Sequence, residues 1–198
     1  MDKQRQEARR ELEDRFEVRL AGEGGQGMIL AGVILAEAAV HDGLNAVQTQ
    51  SYGPEARGGA SRSEVIVARG EVDYPKVMAA DLLLCMSQEA CDRFYGQVKD
   101  EGLIIVDASN VSRIPTHRAV SVPISQVAQE ATGRRITASI VALGLVSGLS
   151  GAVSRKGLEK AVTERVPAGT EEMNLRALAA GYAEAERLKE ELPELVLS

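Results

Sequence analysis

The run Gly22-Glu23-Gly24-Gly25-Gln26-Gly27 holds the residues best suited to meet an anion. Glycines 22, 24 and 27 have the G-x-G-x-x-G spacing, in which missing Cβ atoms permit a tight turn and close backbone approach to a ligand. Residues 16–21 before the run are strand-like, and Met28-Ile29-Leu30-Ala31 after it open a helix. The amides at such a helix head attract a phosphate. A dinucleotide site also requires an acid roughly 20 positions on, at the end of the second strand, to hold a ribose hydroxyl. Residues 45–50 read Asn-Ala-Val-Gln-Thr-Gln and contain none. That disfavours a stand-alone dinucleotide-binding oxidoreductase. It stays open as an alternative, beside a phosphate-binding regulator without catalysis.

A second loop, residues 50–61, sets Tyr52, Glu55 and Arg57 among turn residues and closes on Gly58-Gly59. It is too rich in glycine, proline and serine to continue the strand before it. In a doubly wound sheet the loops leaving the first strands gather at one edge, so this loop is expected beside the turn at 22–27. An arginine among backbone amides can receive a phosphate or a partner's carboxylate. A solvated surface loop explains the same residues equally well.

The elements that must position these loops show in the spacing of apolar residues. Extended segments are predicted at 45–50, 63–68, 82–86, 103–107 and 119–124, with helices at 88–98 after the cap Ser87 and at 124–131. Continuous apolar runs such as Leu82-Leu83-Leu84-Cys85-Met86 suit strands covered on both faces. Glu37 is the sole charge between Met28 and Val40, so that helix is expected to be buried on more than one side. From Ile136 the pattern turns helical, with turns predicted at Gly148-Leu149-Ser150-Gly151 and Pro167-Ala168-Gly169. Thr170 is expected to cap the last helix, with Glu171 and Glu172 complementing its dipole. The expected fold is α/β: a three-layer α/β/α Rossmann-like domain over residues 16–198, with a mostly parallel sheet and a helical C-terminal part. Residues 1–15 read as a charged N-terminal helix with Glu11 and Arg15 at an i,i+4 spacing.

Composition narrows the function. A net charge of −6 over 198 residues, with basic and acidic residues interspersed, argues against a nucleic-acid partner. Two cysteines, Cys85 and Cys91, are too few for an iron–sulfur cluster, which takes four, and neither His41 nor His117 lies near them in sequence. No metal is therefore expected on this chain. The first 14 residues alternate charges where an export signal needs an apolar core, which points to the cytoplasm. Residues 136–154 carry no charge, but eight of the 19 are glycine, serine or threonine, which favours a closely packed buried helix over a membrane span. No Ser/His/Asp, paired-carboxylate or Cys/His arrangement is visible, so no catalytic residue is assigned.

The two loops, with Ala142-Leu143-Gly144 and Asn174-Leu175 ahead of Ala180-Gly181, resemble the gamma subunit of the 2-oxoacid:ferredoxin oxidoreductases over about residues 16–181. The segment Tyr52-Gly53-Pro54-Glu55-Ala56-Arg57-Gly58-Gly59 is similar to the 2-oxoglutarate and pyruvate branches more than to the indolepyruvate branch. Many members carry an asparagine where this chain has Ser139. The resemblance implies a non-catalytic subunit of a complex that converts a 2-oxoacid and coenzyme A into carbon dioxide and an acyl-CoA, reducing ferredoxin. 2-Oxoglutarate is the preferred acid, with pyruvate the alternative. It further implies that thiamine diphosphate, magnesium and iron–sulfur clusters sit on partners, namely alpha and beta subunits with a ferredoxin-like delta subunit as a further candidate. A homodimer is left open. Gly22, Gly24, Gly25, Gln26, Gly27, Tyr52, Arg57, Gly58 and Gly59 are then the residues expected to face coenzyme A or a partner subunit.

Overall fold

Arg15 begins a strand that becomes central to the sheet. The computed structural model describes residues 15–51, 60–114 and 119–192. Of the expected N-terminal helix, residues 1–14 lie outside the described residues, and Arg15 belongs to the strand instead. Strand β1 (Arg15–Glu23) leads through the glycine turn into α1 (Met28–His41), then β2 (Asn45–Ser51) and β3 (Ala60–Ala68). There follow β4 (Ala80–Cys85), α2 (Gln88–Phe94), β5 (Val98–Asp107), β6 (Ala119–Val122) and α3 (Ile124–Thr132). A 3-10 turn (Arg135–Thr137) then opens α4 (Ala138–Ser150), α5 (Arg155–Arg165) and α6 (Glu171–Glu191).

The sheet order is β2-β3-β1-β4-β5-β6. Strands β1, β4, β5 and β6 run parallel, and β3 lies antiparallel between β2 and β1. Alternation along the strands divides the core. Val18, Leu20, Leu82, Leu84 and Ile105 face the larger cluster, which α1, α3, α4, α5 and α6 complete. Leu83, Cys85, Ile104 and Val106 face the other side, where Ala90, Cys91 and Phe94 of α2 cover them. Both faces of the parallel strands are thus dry, as their unbroken apolar runs require.

One charge is locked into the second face. The side chain of Arg19 is 1% exposed, its Nε lies 2.7 Å from Glu64 Oε1, and its Nη2 donates to the Val77 carbonyl at 2.8 Å. Its guanidinium also lies 5.5 Å from the centre of the Phe94 ring. A buried guanidinium needs a carboxylate and carbonyls together, and this one has both. The arrangement ties β1 to β3 and to the chain ahead of β4, so the strand that ends in the glycine turn is held from two sides.

Four details differ from the sequence expectation. The helix after Ser87 stops at Phe94, because the chain turns at Tyr95-Gly96-Gln97 and re-enters the sheet at Val98; the Ser87 hydroxyl does accept from Ala90 N–H. Helix α4 runs through Gly148, and the turn comes at Gly151, with φ 64°. Thr170 does not cap α6 with its hydroxyl, which donates backward to the Pro167 carbonyl at 2.7 Å. The second strand is also not the neighbour of the first, since β3 separates them.

Helices α4 and α6 meet backbone to backbone. A Cβ added to Gly144 would strike the Leu178 carbonyl oxygen, and one added to Gly181 would strike that of Val141. The uncharged stretch once weighed as a membrane span is therefore an internal helix, with α6 of the same chain against its small residues. Among the described residues no helix is long and apolar enough to cross a membrane.

Candidate functional site

Gly24, Gly25, Gln26 and Gly27 span the distance from the end of β1 to the head of α1. Gly25 has φ 91° and Gly27 φ 77°, in the left-handed region where a side chain costs about 1–2 kcal/mol. The turn is braced by its own glutamine. Gln26 N–H donates to the Glu23 carbonyl at 3.2 Å, and Gln26 Oε1 accepts from Glu23 N–H at 2.7 Å. Its Nε2 donates to the Met86 carbonyl at 3.0 Å, just past the end of β4. Gly22 makes room for this strut, since a Cβ there would collide with Gln26 Oε1. Gln26 thus works inside the turn, locking it to the neighbouring parallel strand.

The strut consumes one amide and leaves others. Among the described residues, the N–H groups of Gly24, Gly25 and Gly27 have no hydrogen-bond acceptor. Helix α1 opens with no side-chain cap and no acidic residue in its first turn. On one side of the turn, Ser61 at the start of β3 donates through Oγ to the Gly22 carbonyl at 3.1 Å. On the other, a Cβ on Gly27 would lie 2.8 Å from Ser139 Oγ in the first turn of α4. Ser139 therefore closes against the turn by contact.

An open cleft of about 570 Å³ lies over this corner, bounded by the glycines, by Ile29, Leu30 and Val33 of α1, and by Ser61. Its one cation among the described residues, Arg165, is engaged by Glu37, with Nε 2.6 Å from Oε2. The cleft offers amides and apolar surface, which suits an uncharged or amide-recognised part of a ligand.

Tyr52, Arg57, Gly58 and Gly59 lie outside the described residues. Their described flanks mark the edge: Ser51 pairs with Arg62, and Ala60 pairs with Glu23, the residue that enters the glycine turn. Ala60 N–H also donates to Glu89 Oε1 at 3.1 Å, in the first turn of α2. Sequence reasoning had no signal for Glu89, Ser61 or Met86. Each acts through a fold contact that spacing does not encode.

Among the described residues the corner holds no reactive constellation. Among the described residues, no three His, Cys, Asp or Glu side chains converge as metal ligands. Cys85 and Cys91 are both buried, in the core beneath α2. The hydrogen bond that the Cys85 S–H donates to Cys91, together with burial, pushes the Cys85 thiol up, away from the thiolate a metal requires. Asp107, fully buried at the end of β5, is occupied in holding the turn ahead of α3, accepting from Ser109 N–H, Asn110 Nδ2 and Ser125 Oγ.

The family description for pyruvate ferredoxin/flavodoxin oxidoreductases matches residues 17–184. The chain belongs to this family. The 2-oxoglutarate synthase subunit KorC of Methanocaldococcus jannaschii is 46% identical over 91% of this chain and 99% of its own length. The crystal structure of a keto/oxoacid ferredoxin oxidoreductase gamma subunit from Geobacter sulfurreducens superposes with a TM-score of 0.80 at 46% identity, covering 87% of this chain and 97% of that one. The fold also recurs, with a TM-score of 0.80 at 24% identity, in a 2-oxoglutarate:ferredoxin oxidoreductase from Magnetococcus marinus, where this chain corresponds to 32% of a longer polypeptide. In the family's setting the glycine turn, the Ala142-Leu143-Gly144 motif and the Ala180-Gly181 motif have distinct duties: the first builds an edge, and the other two seat α4 on α6.

Proposed function

We propose that this chain is the gamma subunit of a 2-oxoglutarate:ferredoxin oxidoreductase. The complex converts 2-oxoglutarate, coenzyme A and two oxidised ferredoxins into succinyl-CoA, carbon dioxide, two reduced ferredoxins and a proton. The observation that carries this reading is the end-to-end similarity to KorC, 46% over 99% of that subunit. The carbanion chemistry belongs to thiamine diphosphate with its magnesium, and the electron path to iron–sulfur clusters. This chain's donor set does not fit those groups: its two cysteines fall short of the four ligands a cluster takes, and its buried thiols face each other. The groups are assigned to the alpha and beta subunits and to a ferredoxin-like delta subunit, in a cytoplasmic complex.

The gamma subunit's part is to bind and orient. Amides at Gly24, Gly25 and Gly27 that have no acceptor among the described residues, a turn locked by Gln26, and the segment of Tyr52, Arg57, Gly58 and Gly59, whose flanks Ser51 and Ala60 lie at the same edge, form its contribution to coenzyme A entry. The amide cradle supports this reading, because unpaired N–H groups at a helix head favour phosphate or another anion. The test is direct. With the complex reconstituted with and without this chain, 2-oxoglutarate-dependent reduction of a low-potential acceptor should require it, and pyruvate should be the poorer substrate. Full activity in its absence would end the proposal.

A further inference from the structure

Arg19 on β1 is the hub of a surface that the glycine corner does not use. It is buried on the sheet face opposite α1, and four contacts fan out from its guanidinium. Nε donates to Glu64 Oε1 of β3 at 2.7 Å, Nη2 to the Val77 carbonyl at 2.8 Å and Nη1 to the Gln97 carbonyl at 3.3 Å, and the centre of the Phe94 ring is 5.5 Å away. These contacts adjoin residues that reach solvent. Met78, which follows Val77, is 70% exposed, and Arg93 and Tyr95 on either side of Phe94 are exposed as well. Arg62, two residues before Glu64 on β3, is half-buried.

Cations on this surface outnumber the acids that meet them. The guanidinium carbons of Arg62 and Arg93 lie 5.5 Å and 5.4 Å from the centre of the Phe94 ring, so with Arg19 three guanidiniums crowd one phenyl group. Among the described carboxylates, Glu64 alone pairs with any of the three, bound to Arg19 and 3.8 Å from Arg62. Glu89 has the i,i+4 spacing that would favour Arg93, but its Oε1 accepts from Ala60 N–H at 3.1 Å. Asp92 is taken by Arg113. Arg93 is thus left with the ring, and its N–H donors have no acceptor among the described residues. In a chain of net charge −6, such a surface runs against the average.

We propose that Arg62, Arg93, Met78 and Tyr95, braced by the Arg19 hub, dock another subunit of the complex through a carboxylate set beside an apolar side chain. The inference rests on the gamma-subunit reading and locates one of its interfaces. Arginine, tyrosine and methionine are enriched where proteins meet, and lysine and glutamate are depleted there. A guanidinium stacked on a buried ring has already lost part of its freedom, so it receives a carboxylate at a lower entropic cost. Met78 and Tyr95 offer apolar contact that a free anion would not use, and the acidic balance of the chain repels a nucleic acid. The cleft at the glycine turn is bounded by α1 on the other sheet face, so the two surfaces do not compete.

The test titrates this chain into the complex assembled without it and reads the dissociation constant. Arg93→Glu should raise that constant about 10–100-fold and Met78→Ser about tenfold, each with the circular dichroism of the isolated chain unchanged. Arg93→Lys should recover most of the loss. Added salt should weaken the wild type more steeply than Arg93→Ala. Lys156→Glu makes an equal change of net charge at an exposed position of α5, and a loss as large from it overturns the inference, because charge in general is then at work. Wild-type affinity in both Arg93→Glu and Met78→Ser overturns it too. So does a variant that alters only the self-association of the isolated chain in sedimentation, because the face then joins two copies. The gamma-subunit reading is judged on the wild-type chain, by whether it joins the complex and restores 2-oxoglutarate-dependent reduction, and it stands if the variants bind as the wild type does.

Discussion

The glycine turn at residues 22–27 and the glycine seam between α4 and α6 use the same residue for opposite ends. In the seam, Gly144 and Gly181 bring two backbones into contact, and the space of each missing Cβ is filled by the other helix. At the turn, a Cβ on Gly24 or Gly25 would meet nothing within 4 Å, and the amides there have no acceptor among the described residues. One set of glycines is completed by the chain itself. The other is left open, and that open space is what a ligand or a partner subunit would fill. Gly22 and Gly27 stand between the two cases: the first admits the Gln26 strut and the second admits Ser139.

The sharpest way to break this comparison is to fill the seam. Gly144→Ala and Gly181→Ala each place a carbon on a backbone carbonyl of the opposing helix, with no flexible side chain to yield. Overpacking of this kind costs about 3 kcal/mol. For a chain of this length that lowers Tm by about 6–12 °C. Thermal unfolding of the isolated chain followed by circular dichroism measures it, and a loss below about 1 kcal/mol would show the seam to be slack.

Gly27→Ala is expected to cost less, about 2 kcal/mol, from left-handed strain plus the contact with Ser139. Ser139→Gly in the same chain should recover the contact part and leave the strain. A double-mutant cycle in urea separates them, with a coupling above about 0.5 kcal/mol expected. Gln26→Ala should follow at about 1–2 kcal/mol, because the Glu23 amide and the Met86 carbonyl both lose their partner while water can reach the turn. Amide exchange at Glu23, read by NMR, should accelerate in that variant and stay unchanged at Val18 in the middle of β1.

Much of this was legible in the sequence, for physical reasons that also explain what was not. The apolar runs of β4 and β5 announce strands because both faces are covered, and Ser87 announces a helix start because its hydroxyl reaches the third amide on. The sheet's order is another matter. Nothing in residues 60–68 says that this strand inserts antiparallel between β2 and β1, since the register arises from pairings such as Glu23 with Ala60. That order also removes the premise of the ribose-acid argument, because the second strand ends at a distance from the turn. Gly148 read as a turn because glycine breaks helices in isolation, yet α4 runs through it, the absent Cβ lying against Ala185 of α6. Thr170 has the right type for a cap, but its hydroxyl donates back to the Pro167 carbonyl and accepts from no backbone amide of α6. Gln26 reads in the sequence as one more residue of the glycine run, and the distances to Glu23 and Met86 are what reveal the strut.

The smallest stability effect sharpens the comparison most. Gly24→Ala puts a methyl group where no described residue lies within 4 Å, at a residue whose φ is not positive. The isolated protein should therefore change by less than about 0.5 kcal/mol, as surface substitutions do. Inside the assembled complex that methyl group has to go where a ligand or another subunit would lie. If coenzyme A approaches the amide, its KM rises several-fold while the subunits still co-elute. If a partner subunit packs there instead, co-elution weakens and the KM in the surviving complex stays put. Wild-type behaviour in both measurements would show that the corner faces water in the working enzyme, and the contrast between an open and a filled set of glycines would then carry no functional meaning.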